Sequence, residues 1–209
     1  MNLYENLIEQ YGYNVPIVSK DIVYGKYSRP WIMKELKGLC DRNEIIRFEK
    51  GIYYIPKATE LGLSRINPMK VVERKYVRNG NEVFGFYGGL TLLNYLGVST
   101  QVPSVVEIFT NNETSNARNI LVGNQKVILR RARTEITSDN VAVLMLLEVM
   151  ASESEAFFKN SEVRGKIKKF VVENNITMGD VDKYLDYYPE RTLKILFRSG
   201  VINEFAFTA

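Results

Sequence analysis

The sequence predicts an α+β protein: an N-terminal helix-and-hairpin domain, then a mixed C-terminal domain with a small sheet and a helical tail. Three observations predict it. Residues 28–56 read as a capped amphipathic helix running straight into a tight β-hairpin. Residues 105–133 hold short strands separated by turn residues. Residues 139–199 hold an apolar run at 141–147 followed by stretches of helical period. With 209 residues, 45% of them apolar and 11% aromatic, the chain can bury a sizeable core, which argues against intrinsic disorder.

Residues 2–10 form the first expected helix, with Leu3, Leu7 and Ile8 on one face and Gly12 ending it. Pro16 and Ile17 are a short extended piece. Ser19 is positioned to cap a second short helix through Ile22 and Val23, stopped near Gly25. In the third helix Ser28 is the expected N-cap, with Pro30 in the first turn, where a missing amide hydrogen costs nothing. Ile32, Leu36, Leu39 and Cys40 make its apolar stripe, with Lys34, Lys37 and Asp41 opposite. Then come strand 45–48, a Glu49-Lys50-Gly51 turn and strand 52–55, closed by Pro56, which cannot donate to a ladder. Helix, short strand, helix, turn, helix and hairpin follow in the order of a winged helix-turn-helix, complete by residue 57. The plain alternative is a structural helix-hairpin unit with surface lysines.

Residues 58–67 read as a linker, and Asn67-Pro68 opens a helix over 68–78 that begins the C-terminal domain, 68–209. Residues 84–89 are glycine-rich, but no Lys-Ser/Thr pair follows and neither nucleotide fingerprint fits. Close packing of backbone beside a helix at 90–96 is the better account. A strand at 105–110 and a hairpin of 119–122 with 126–133 about Gly123-Asn124 follow. Arg131 and Arg133 are expected on one face of the last strand and Arg130 on the other. Residues 139–158 read as a central core helix; 162–174, 178–188 and 189–199 are amphipathic helices.

Composition narrows the chemistry. Histidine is absent and Cys40 is the single cysteine, so the commonest general base and metal ligand are missing. No acidic cluster has metal-ligand spacing, and neither an enzyme nor a cofactor is expected. Cys40 reads as a small core residue. No run of 18 uncharged apolar residues exists, and the start lacks a basic region followed by an apolar stretch, so a cytoplasmic, non-membrane protein is expected. The net charge of +4 is uneven. Residues 1–57 hold nine Lys/Arg and seven Asp/Glu, 58–135 ten and six, and 136–209 nine and eleven. A basic front and a mildly acidic tail suggest a polyanion at one end and a different partner at the other.

Two segments resemble the AbiEi family of antitoxins from type IV (abortive infection) toxin–antitoxin systems. The first is the helix-to-wing run of Arg47, Gly51, Ile52, Tyr53, Ile55 and Pro56. The second is 87–103, Tyr-Gly-Gly-Leu-Thr-Leu-Leu-Asn-Tyr-Leu-Gly-Val-Ser-Thr-Gln-Val-Pro, whose Leu-Gly-Val-Ser-Thr-Gln-Val-Pro portion is the more specific. Gly38 departs from the pattern, standing mid-helix where such proteins carry a larger, often basic, residue. The resemblance implies two jobs: repression of the toxin–antitoxin operon through inverted repeats in double-stranded DNA, and neutralisation of a nucleotidyltransferase-like toxin by the C-terminal domain. Ser28 and Arg29 are then placed to meet phosphate or base edge, with Arg29 the first choice for base readout. Lys34 and Lys37 fit phosphate contacts, and Arg47 and Lys50 belong to the wing, where Arg47 has the plain alternative of bracing it. Arg118, Lys126, Arg130, Arg131 and Arg133 form a second candidate patch, for DNA or for toxin. The alternative is a winged-helix regulator or protein-interaction module without a toxin partner.

Overall fold

The computed structural model describes residues 2–202 and is α+β. Two compact units divide the chain: Met1–Arg74 with Val122–Asn124, and Lys75–Leu121 with the chain from Gln125 onward.

In the first unit, α1 (Leu3–Tyr11) starts on a reciprocal capping box: the Asn2 side chain accepts from Glu5 N while the Glu5 carboxylate accepts from Asn2 N. Strand β1 (Ile17–Val18) pairs antiparallel with β3 (Ile52–Tyr54), which pairs with β2 (Ile46–Glu49), giving the sheet order β1-β3-β2. The second expected helix is only a 3₁₀ turn, Ser19–Asp21. Ser19 is its first residue, not its cap, because its N–H is held by Gly51 O at 2.8 Å in continuation of the sheet. Ile22 is already extended and no helix forms through Val23.

Helix α2 (Arg29–Asp41) follows, buried through Ile32, Leu36 and Leu39. Those side chains join Leu3, Leu7, Ile17, Ile45, Tyr53 and Ile55 in one core. Truncating a fully buried leucine such as Leu36 to alanine in a core of this kind costs about 2–5 kcal/mol. Cys40 is half-buried against this cluster, and burial pushes its thiol up, away from the reactive thiolate.

The expected linker at 58–67 is ordered. Strands β4 (Ala58–Thr59) and β5 (Gly62–Leu63) pair as a small hairpin. Ser64 anchors it: its Oγ accepts from Lys57 N at 2.8 Å and donates to Asn14 Oδ1 at 2.8 Å. Helix α3 (Pro68–Tyr76) then carries Arg74, whose Nη2 donates to Asp21 Oδ2 at 2.6 Å. Tertiary hydrogen bonds of this kind, which no local composition signals, are why the first unit runs on past residue 57.

The second unit begins with β6 (Arg78–Asn79) and β7 (Glu82–Val83), a two-residue ribbon, and β8 (Gly85–Gly88), into which the glycine-rich segment folds. A Cβ on Gly85 would stand 2.0 Å from Tyr76 O and 2.8 Å from Phe109 O, so only glycine admits this approach of backbone to backbone. Helix α4 (Gly89–Tyr95) follows directly. Strands β9 (Val106–Thr110), β10 (Ala117–Val122) and β11 (Gln125–Arg131) complete a sheet of order β10-β11-β9-β8. In it β8 runs antiparallel and β11 parallel to β9. The β10–β11 hairpin turns at Gly123-Asn124 as the dipeptide predicts, with Gly123 at φ 59°.

Helix α5 (Val141–Ser152) is the central helix, buried continuously from Val143 to Ala151 and packed on α4, β8, α8 (Met178–Leu185) and α9 (Glu190–Arg198). It stops short of the expected 158. Ser154 Oγ accepts from Phe157 N and opens a separate one-turn α6 (Glu155–Phe158), a capping alternative that the apolar periodicity does not show. Helix α7 (Ser161–Glu173) is capped by Asn160, and α8 by a capping box of Thr177 with Asp180. Among the described residues no helix is long and apolar enough to cross a membrane.

Candidate nucleic-acid interface

Lys34 and Lys37 project from the side of α2 opposite its buried stripe, as 3.6-residue periodicity requires once Ile32 and Leu36 face inward. Both are exposed, and among the described residues neither carries an ion pair. Lys50 is exposed at the β2–β3 turn, where Gly51 takes φ 81°, a left-handed value that a side chain would resist. The connection is two residues long, Glu49 pairing with Ile52, and a register irregularity follows Arg47. A short ribbon of this kind presents one lysine rather than a long arm.

Three expected residues behave differently. Ser28 occupies the N-cap position, but its side chain makes no capping hydrogen bond; only its carbonyl is engaged, accepting from Ile32 N at 3.1 Å. Its hydroxyl, on an exposed residue, is left for other partners. Arg29 Nη1 donates to Ser19 O, which ties the first turn of α2 to the 3₁₀ turn. The guanidinium has four further N–H donors, so one edge holds the fold while the other faces solvent. Arg47 Nε donates to Glu49 O at 3.4 Å across the bulge, which braces the hairpin.

Beside these cations lies an aromatic group absent from the sequence-based candidates. Tyr27 N donates to Tyr24 O at 3.1 Å, closing a turn through Gly25 at φ 51°, and Trp31 sits four residues on in the first turn of α2. The Tyr27 and Trp31 rings stack at 3.9 Å between centroids. Tyr24 lies 5.3 Å from Tyr27 and 5.9 Å from Trp31, and all three planes are within 24° of parallel. Tyr27 is 54% exposed. The available signal was the Tyr-x-x-Tyr-x-x-x-Trp spacing interleaved with Lys26 and Arg29, and the absence of any acid over 22–34.

The second basic group is largely neutralised within the second unit. Arg118 Nε donates at 2.7 Å to Glu113, whose other oxygen accepts from Thr114 N, Ser115 N and Ser115 Oγ. The Ser115 hydrogen bonds, aided by Arg118, hold the Glu113 carboxyl down to about 2. Arg130 Nε donates to Glu107, and Arg133 Nε donates to Glu148 at 3.2 Å while its guanidinium lies 5.0 Å from the centre of the Tyr188 ring. Burial raises the Glu148 carboxyl above its ordinary range, against the lowering effect of Arg133. Strand β11 ends at Arg131, so Arg133 does not share a strand face with it; Arg133 turns to α5 because a buried carboxylate there requires a cation. Lys126 and Arg131 stay exposed without an ion pair among the described residues.

Among those residues no group of three Cys, Asp or Glu side chains is arranged to hold a metal ion. The arrangement therefore offers exposed cations and aromatic faces on the first unit, and ion pairs and a closed helical core on the second. The chain belongs to the family of unknown function DUF6088, whose model matches residues 14–171. Neither a curated protein nor a solved structure matches it.

Proposed function

We propose that this chain is a DNA-binding antitoxin that represses its own toxin–antitoxin operon and neutralises a nucleotidyltransferase-like toxin. The observation that carries the DNA half is the exposed row of Lys34 and Lys37 on α2, without an ion pair among the described residues, leading into the Lys50 hairpin. A helix with a free basic face followed by a β-ribbon is the winged helix-turn-helix layout, in which helix cations meet phosphates and the ribbon meets the backbone. Arg29 is the base-reading candidate through the edge that Ser19 does not occupy. The antitoxin half rests on the resemblance of 87–103, which spans the end of β8, α4 and the segment after it, and the toxin is taken to meet the second unit. Lys126 and Arg131 are the members of the second patch with charge to spare for such a partner.

The test is a salt titration of binding to the duplex upstream of the gene. With about five phosphate contacts, affinity should fall about 500-fold between 50 and 200 mM salt, with a log–log slope near −4.5. Lys34→Ala should flatten that slope by about one unit and weaken all sequences alike, whereas Arg29→Ala should relax discrimination at one base. A flat salt response overturns the DNA half. The toxin half fails if a neighbouring nucleotidyltransferase reading frame stays toxic when this chain is co-expressed.

A further inference from the structure

The geometry points to a second nucleic-acid activity: the outer face of Tyr27 is a stacking platform for an unpaired nucleobase, with Lys26, Arg29 and Lys34 holding the phosphates on either side. This single-strand binding goes beyond recognition of an operator duplex and does not depend on it.

Three near-parallel rings can form a column or a shingle. In a column the outer rings stand two van der Waals layers apart, about 7 Å. No pair here exceeds 5.9 Å, so Tyr24 cannot lie over the outer face of Tyr27 or of Trp31; it lies to the side of the stacked pair. Tyr27 thus rests one face on Trp31 and leaves its other face open, in keeping with its 54% exposure. The platform is pre-built: a turn fixes Tyr24 against Tyr27, and the first turn of α2 fixes Trp31 beneath it.

Electrostatics select the occupant. Residues 22–34 contain three cations and no acid. The nearest carboxylate before them, Asp21, is occupied by Arg74 at 2.6 Å. The apolar neighbours Ile22 and Ile32 are buried in the core while Val23 and Met33 are exposed, so the Tyr27 face reaches solvent beside apolar surface in a segment that carries three cations before its next acid, Glu35. Bases in a duplex present edges and keep their faces stacked on one another, whereas an unpaired base offers a face. A flat ring among cations therefore fits single-stranded nucleic acid, in which base–aromatic stacking tolerates any sequence.

Trp31 is the only tryptophan of the chain and reports the site directly by fluorescence. The probes are (dT)12, (rU)12, a twelve-unit abasic deoxyribose-phosphate chain and the upstream duplex, titrated against the full chain and its Tyr27→Leu and Tyr27→Phe variants. The expected result is quenching of Trp31 by (dT)12, (rU)12 or both, whichever binds identifying the source. Affinity should exceed that for the abasic chain at least tenfold, fall about tenfold in Tyr27→Leu and be kept in Tyr27→Phe. Equal binding of the abasic chain, or undiminished (dT)12 binding by Tyr27→Leu, overturns the platform. Should Tyr27→Leu fail to fold, the comparison of (dT)12 with the abasic chain on the unaltered protein still decides. Duplex binding without (dT)12 binding leaves the operator reading standing and sinks the platform; Tyr27-dependent (dT)12 binding without duplex binding does the reverse.

Discussion

Removing the Arg133 guanidinium should destabilise the protein in a pH-dependent way, whereas neutralising its partner Glu148 should not. The Glu148 side chain is 9% exposed on the buried helix α5, and Arg133 reaches it from outside with 35% of its own side chain in solvent. In Arg133→Ala the carboxylate keeps only the weaker influence of Arg130, opposed by Glu107. It then either stays charged in a poorly solvated site or takes up a proton. Protonation caps the penalty: lifting a carboxyl from about 4.3 to above pH 7 costs about 3.7 kcal/mol at pH 7. Because the pair is partly hydrated, the expected loss is about 2 kcal/mol, or about 4–8 °C in Tm for a chain of this length.

The sign with pH is fixed by the direction of the shift. Burial raises the Glu148 pKa in the folded state, so its contribution to stability is most favourable at acid pH and declines as pH rises through the raised value. Without Arg133 the value rises further and the decline extends higher. Urea denaturation followed by circular dichroism, at about pH 4.5 and about pH 7, separates the contributions. Near pH 4.5 Arg133→Ala should lose only the Tyr188 contact, about 0.5–1 kcal/mol. Glu148→Gln should stay within about 1 kcal/mol of the parent at pH 7, and should rescue Arg133→Ala when the two are combined. An Arg133→Ala loss that is the same at both pH values, or a Glu148→Gln loss as large, would refute the buried-charge account.

Two further outcomes follow from the geometry. Gly38→Ala should stabilise the first unit by up to about 1 kcal/mol in thermal denaturation, because the new Cβ meets only the far end of the long Arg42 side chain, at 3.4 Å; a lower Tm would show that α2 needs glycine there. Glu113→Ala should lose about 2 kcal/mol at neutral pH by stripping the 113–118 turn of its charged acceptor. Since the folded Glu113 pKa lies at about 2, below its unfolded value, that stability is present above the unfolded pKa and fades as pH falls toward 2. A difference from the parent that persists undiminished at about pH 2 would contradict it.

Much of the fold was legible because burial and periodicity are local properties of a chain. The stripe Ile32, Leu36, Leu39 placed α2 and turned Lys34 and Lys37 outward without reference to any other element. Gly123-Asn124 announced its own hairpin. Where local rules offered equal alternatives, the sequence misled: Ser19 has the character of a cap, yet its N–H belongs to Gly51 across the sheet. Ser154 likewise splits what the apolar pattern joins into one helix. In the candidate site, the free lysines could be read from helix geometry, but the Arg29 bond to Ser19 and the Tyr24–Tyr27–Trp31 shingle depend on how a turn closes, which residue spacing alone does not specify.

By itself, then, the sequence determined the fold class, the faces of the helices, the absence of histidine chemistry and the basic character of the first hundred-odd residues. Only the tertiary structure decided which charges are available. Arg118, Arg130 and Arg133 look like a basic patch along the chain, yet each meets a carboxylate that folding brings to it: Glu113 from the preceding turn, Glu107 from β9 and Glu148 from α5. Periodicity assigns a side chain to a face. Whether the charge on that face is free depends on partners distant along the chain, 23 residues away for Arg130 with Glu107 and 53 for Arg74 with Asp21, and only the folded chain brings them together.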